Sequence, residues 1–143
     1  MMRLVVDANI LVGELLRARG RELIADKRLE LFLAAKVWEE AQHELRKRVD
    51  IIAEQKNLSE EIATAILAVA TTSAEQRLTV SDEIEYSHFK QEALARIPRD
   101  PDDWHSVALA LTRETDIWTQ DKDFLGCGVG TWTSETLRAR LNL

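Results

Sequence analysis

The sequence carries one cysteine, Cys127, in 143 residues. That excludes an internal disulfide and a multi-cysteine zinc site. Its five glycines form no Gly-x-Gly-x-x-Gly or P-loop pattern, so the usual glycine cradles for nucleotide phosphates are missing. There is no repeat, low-complexity segment or Pro/Gly/Ser-rich linker, and residues 1–143 are expected to form one domain. No apolar run approaches the ~20 residues of a membrane span, and no signal-peptide pattern opens the chain. A soluble, cytoplasmic protein with no membrane partner is the expectation. Bases are in the minority, 19 Lys and Arg against 25 Asp and Glu for a net charge of −6. This argues against a strong non-specific nucleic-acid binder. It leaves room for an enzyme on nucleic acid, because clustered acids that hold a divalent metal shift the balance negative.

What is present is an alternation of two periodicities. Leu4-Val5-Val6 reads as a buried parallel strand that ends at Asp7, followed by a helix over 8–18 that stops near Gly20 and a short helix over 21–27. Leu31 to Ala35 reads as a second strand. From Lys36 to about Glu54 the apolar residues Val37, Ala41, Leu45 and Val49 step by four and form one helical stripe. Ser59 is placed to cap the next helix, with Glu60 and Glu61 in its first turn and Ile62, Ile66 and Val69 lining it. Leu78-Thr79-Val80 reads as a third strand, with Ser81 capping a helix that runs to about Arg96. Pro98 to Pro101 is a sharp break, and helix resumes at Asp102–Trp104. Ile117 to Thr119 is a fourth strand, Gly126–Gly130 a loop, and Gly130 to Thr133 a short last strand before a terminal helix. Strand–helix alternation of this kind predicts an α/β fold with a parallel sheet covered on both faces.

Four acids occupy one kind of position. Asp7 ends the first strand, Glu40 lies early in the helix after the second, Asp103 opens a helix after the proline break, and Asp121 follows the fourth strand. In a parallel sheet these places lie along one edge, where open α/β sheets put their chemistry. Taken singly, each has an ordinary reading as a turn residue, a solvated helix acid or a helix-start acid. Together they predict a cluster whose mutual repulsion needs a cation. Oxygen-only ligands suit Mg²⁺ or Mn²⁺, and the reaction expected of them is hydrolysis of a phosphate ester by metal-activated water. Other chemistries lack support. His43, His88 and His105 form no metal-ligand pattern, Cys127 has no base nearby in sequence, and Ser134 has no nucleophile-elbow context. His105 is read as a rim residue, and Trp104 as the one tryptophan suited to stack a base.

Leu4-Val-Val-Asp-Ala-Asn-Ile-Leu11, Val37-Trp-Glu-Glu-Ala41, Arg99-Asp-Pro-Asp-Asp-Trp-His-Ser-Val-Ala-Leu-Ala-Leu111 and Trp118-Thr-Gln-Asp-Lys-Asp-Phe-Leu125 together resemble the four acidic motifs of a PIN domain. This is the nuclease fold shared by VapC-type toxins and other ribonucleases, and the resemblance spans essentially the whole chain. It implies a three-layer α/β/α sandwich with a central, mostly parallel sheet, and Mg²⁺- or Mn²⁺-dependent cleavage of RNA. It carries over Asp7, Glu40, Asp103 and Asp121 as catalytic acids, with Asp7, Asp103 and Asp121 on the metal. Asn9, Thr119, Asp123 and Asp100 would be supporting residues, and Glu44, one turn after Glu40, is the alternative second acid. The same resemblance implies a toxin of a toxin–antitoxin pair, an antitoxin partner and a homodimer. The competing reading is a PIN-like binding or assembly module with weak or no catalysis, motivated by the scattered bases Arg17, Arg19, Lys36, Arg99 and Lys122. A haloacid-dehalogenase phosphatase is disfavoured because Asp7-Ala-Asn lacks that family's second Asp. A receiver domain is disfavoured because the acidic pair beside its first strand is missing.

Overall fold

The computed structural model describes residues Met1–Leu143. Five strands, β1 (Met2–Val6), β2 (Leu29–Ala34), β3 (Leu78–Ser81), β4 (Asp116–Trp118) and β5 (Thr131–Trp132), form one sheet in the order β3-β2-β1-β4-β5. Every pairing is parallel, so the mostly parallel sheet of the sequence reading is wholly parallel. Seven α-helices cover it: α1 (Ala8–Leu15), α2 (Ala18–Ile24), α3 (Ala35–Gln55), α4 (Glu60–Arg77), α5 (Lys90–Arg96), α6 (Trp104–Arg113) and α7 (Ser134–Arg140). The result is a three-layer α/β/α sandwich. Helices α1 to α4 pack together and α5 packs with α6, which lies over β1, β2 and β4.

Both sheet faces are covered, so the inner strands are apolar throughout. Leu4, Val5 and Val6 are at most 1% exposed, and Leu31, Phe32, Leu33 and Ala34 at most 2%. The predicted α3 stripe is the buried one, Val37, Ala41, Leu45 and Val49. Ser59 does cap α4, accepting from the Ile62 amide at 3.2 Å. The chain moves outward from β1 to β2 and β3, then returns to place β4 on the other side of β1. The strand order therefore reverses between β1 and β4. A topological switch point of this sort opens a crevice at the carboxyl ends of the strands.

Several local expectations change. Gly20 does not stop a helix: it is buried inside α2, and a Cβ there would collide with the backbone of Glu14. The missing side chain is what lets α2 fold back onto the end of α1. Ser81 is buried within β3 rather than capping. The cap belongs to Asp82, whose amide bonds Glu85 at 2.7 Å, and the segment before α5 is two 3₁₀ turns, Glu83–Glu85 and Ser87–Phe89. On α4 the buried residues are Ala70 and Ala74, while Ile62 and Val69 are exposed.

Candidate metal and active site

Asp7 follows the last residue of β1 and is the N-cap of α1. Its amide joins the sheet by donating to the Trp118 carbonyl at 3.0 Å, which fixes the residue at the crevice between β1 and β4. The residue is only 8% exposed. Thr119, the first residue past β4, is buried too. Its hydroxyl donates to Asp7 Oδ2 at 3.0 Å and accepts from the Asp121 amide at 3.0 Å. One threonine thus orients the first carboxylate and the loop that carries the fourth. Asp121 accepts from the Asp123 amide at 2.9 Å and so also caps its own turn; the ordinary reading of this residue and its place at the site hold together.

Asp103 ends the 3₁₀ turn Pro101–Asp103 and is the N-cap of α6, but its side chain makes no cap bond. Its Oδ2 is buried and has no hydrogen-bond partner. Burial, followed by the charges of Asp100, Asp7, Asp121 and Asp123, pushes its carboxyl up to about 7. Burial also raises Asp7; the Thr119 bond opposes this, and the charges of Asp121 and Glu40 reinforce it. Glu40, largely exposed on the first turns of α3, is raised by partial desolvation against the cleft, opposed by Lys36 and reinforced by Asp102, Glu39 and Asp100. Acids just past β1, on α3, in the turn before α6 and in the loop after β4 therefore feel one another across a shared space.

That space is a cleft of about 390 Å³. Asp7, Glu40, Asp103 and Asp121 line it, joined by Glu44, Asp100 and Asp102, with no lysine or arginine in the wall. Asn9 lies on the rim. Asp123 is not in the wall and stands 3.8 Å from Arg99. Of the two α3 acids, Glu44 is held by Arg48 at 3.2 Å, whereas Glu40 has no ion pair, so Glu40 is the freer carboxylate. Asp100 accepts from the Asp102 amide at 3.2 Å and shapes the turn that presents Asp103.

His43 and Ser106 also face the cleft. The sequence reading missed both; each stands three residues beyond an acid on its helix, Glu40 and Asp103, and that spacing is the signal that could have found them. His105 turns away from this wall and is not a rim residue: its Nδ1 pairs with the hydroxyl of the fully buried Tyr86 at 2.7 Å, and its ring stacks on Trp104. Trp104 is 7% exposed and packs between Tyr86 and His105, which removes it as a base-stacking platform.

No three acidic, histidine or cysteine side chains close around one point at coordination distance. The donor set still fits a hard cation. Mg²⁺ keeps most of its waters and is commonly held through one or two carboxylates. The unpartnered Asp103 Oδ2 is an acceptor of the required kind, buried where an uncompensated carboxylate is costly.

An all-parallel α/β/α sandwich with carboxylates gathered at its switch point defines a class of proteins that bind ligands at the strand ends. The chain matches the PIN-domain family model over residues 5–142 and belongs to that family. Among solved structures it is similar to PAE2754 from Pyrobaculum aerophilum, with a TM-score of 0.68 at 18% identity, covering 99% of this chain and 96% of that one. It is also similar to a chain of a toxin–antitoxin complex from Klebsiella pneumoniae, with a TM-score of 0.57 at 14% identity, covering 91% of this chain and 96% of that one. None of the curated proteins matches the chain. No helix is long and apolar enough to cross a membrane.

Proposed function

We propose that the chain is a metal-dependent endoribonuclease that forms one catalytic domain over residues 1–143 and works through Asp7, Glu40, Asp103 and Asp121. The observation that carries this reading is the buried, unpartnered Oδ2 of the half-buried Asp103 beside Asp7 and Asp121, with no lysine or arginine in the cleft wall. Membership of the PIN family, whose members are generally nucleases, supports it. A divalent cation here, Mg²⁺ or Mn²⁺, would supply charge neutralisation on the phosphodiester and lower the pKa of water.

Asp7, Asp103 and Asp121 would hold the ion directly or through water. Thr119 fixes the direction of the Asp7 carboxylate and the Asp121 backbone. Glu40, which lines the cleft and has no ion pair, would accept a proton from the attacking water. Asp100 supports Asp103 by shaping its turn, and Asn9 offers an amide at the rim. Asp123 acts only at longer range. The test is RNA cleavage with Mg²⁺ or Mn²⁺ by Asp7→Asn. A fall of roughly 10²–10³-fold, the scale of losing a preorganised electrostatic group, is expected; undiminished cleavage would sink the assignment.

The likeness to a chain of a toxin–antitoxin complex supports a narrower reading, a toxin silenced by an antitoxin; that it acts as a homodimer in the cytoplasm rests on the family resemblance alone. Growth arrest on expression, relieved by the product of the adjacent gene, is the expected result. A second reading, a PIN-fold binding module without useful catalysis, is favoured by one observation: no three acidic side chains close around one point at coordination distance. Calorimetric titration with Mn²⁺ separates the two: no binding at millimolar metal selects the module.

A further inference from the structure

A cleft walled by carboxylates repels a polyanion until a cation binds, so any contact that holds RNA must lie beside it. A second recess of about 170 Å³ adjoins it, and Asn9 belongs to both. Gly13 and Glu14 form its floor on α1, and Arg17, Arg48 and Gln120 surround it. Arg17 precedes α2 and Arg48 lies in the middle of α3, so only the fold brings them together.

The charges there do not cancel. Glu14 is already satisfied at both oxygens. Its Oε1 accepts from Ser134 Oγ at 3.1 Å and its Oε2 from Arg138 Nη2 at 3.1 Å. Arg17 approaches Oε1 only to 3.8 Å, forms no hydrogen bond with it and is 71% exposed. It is therefore a surplus cation. Arg48 commits Nε to Glu44 at 3.2 Å, which leaves its two terminal nitrogens without a hydrogen bond. Within the recess two guanidiniums, Arg17 and Arg48, stand against one carboxylate, Glu14, which Arg138 outside the recess already pairs. The planar fork of an arginine matches a phosphate in two-point contact. Asn9 and Gln120 are exposed amides able to bond the same strand.

We propose that this recess seats a backbone phosphate next to the scissile one, with Arg17 and Arg48 as positioning residues that lead a single RNA strand across Asn9 into the acid cleft. The proposal rests on the nuclease reading and adds the path of the substrate. Asp7→Asn serves as the background, so that binding is measured without cleavage, by fluorescence anisotropy of a labelled single-stranded RNA oligonucleotide at several salt concentrations. Adding R17A and R48A is expected to raise Kd about tenfold or more and to reduce the slope of log K against log salt by about 1.4, the share of two lost phosphate contacts on a single strand. R17K with R48K retains the salt slope but not the full affinity. Removing two exposed charges elsewhere, K27A with K56A, is expected to leave both readouts unchanged. The proposal is overturned if R17A with R48A binds like the background, if K27A with K56A loses as much, or if the background binds no RNA. Undiminished cleavage by Asp7→Asn sinks the assignment of the acids instead, and the binding comparison is then made with divalent metal chelated.

Discussion

Glu14 and Asp103 are both carboxylates drawn out of water near the carboxyl edge of the sheet, and the chain treats them differently. Glu14, on α1, receives a hydroxyl from Ser134 and a guanidinium from Arg138, so both its oxygens are occupied. Asp103 is surrounded by other acids, and its buried Oδ2 has no partner. A buried charge satisfied by its own chain ties elements together, here α7 to α1. A buried charge left unsatisfied lowers stability unless something from outside completes it. The difference separates an acid that serves the fold from one that serves a site, and it can be attacked from either side.

The largest effect on stability is expected at the paired acid. Glu14→Ala leaves Arg138 and the buried Ser134 hydroxyl without their acceptor. Breaking a buried pair from one side costs about 3 kcal/mol, read as a lower urea midpoint with the m-value unchanged. A loss below about 0.5 kcal/mol, the range of an ordinary surface change, would mean that Glu14 is not the tie between α1 and α7. At the unpaired site the next effect falls on metal affinity rather than on folding. Thr119→Val keeps the shape of the side chain and removes the hydroxyl that directs Asp7 and receives the Asp121 amide. Mn²⁺ affinity measured by calorimetry should fall roughly tenfold or more, the usual scale for a residue that orients a ligand. Unchanged affinity would show that the backbone alone sets the Asp7 carboxylate.

The same contrast explains what could be read in the sequence. Asp7, Glu40, Asp103 and Asp121 were legible because each sits at a fixed point of the strand–helix alternation, and an all-parallel sheet sends all such points to one edge. The α3 stripe was legible because burial on one helical face leaves a four-residue period. The Glu14 tie was not, because its partners Ser134 and Arg138 are more than a hundred residues away and no local pattern marks them. Gly20 was misread for a related reason: a glycine that ends a helix and one that admits a neighbouring backbone look alike until the neighbour is in place. Arg17 appeared as one of several scattered bases, and Arg48 was not singled out at all, for the same cause. The exposure of Ile62 and Val69 on α4 runs against periodicity, and α4 buries its small residues instead.

The finest probe of the comparison is Asp103→Asn in metal-free protein. The folded carboxyl titrates near 7 against 3.8 for an ordinary aspartate. Between these values the folded state therefore holds a proton that the unfolded chain has lost, and stability falls as pH rises. The penalty is absent below about pH 4 and complete above about pH 7. Taken at full value a shift of this size would exceed the effect expected here, but the group is partly open to solvent and screening reduces it to about 1–2 kcal/mol. Asp103→Asn should recover that amount at pH 8 and nothing at pH 4, measured as denaturant midpoints at both pH values. Saturating Mg²⁺ should stabilise the wild type at pH 8 through binding to the folded state alone and stabilise Asp103→Asn much less. If Asp103→Asn instead lost stability at pH 8, Asp103 would be a structural acid like Glu14, and the distinction between the two would fail at the residue on which it depends most.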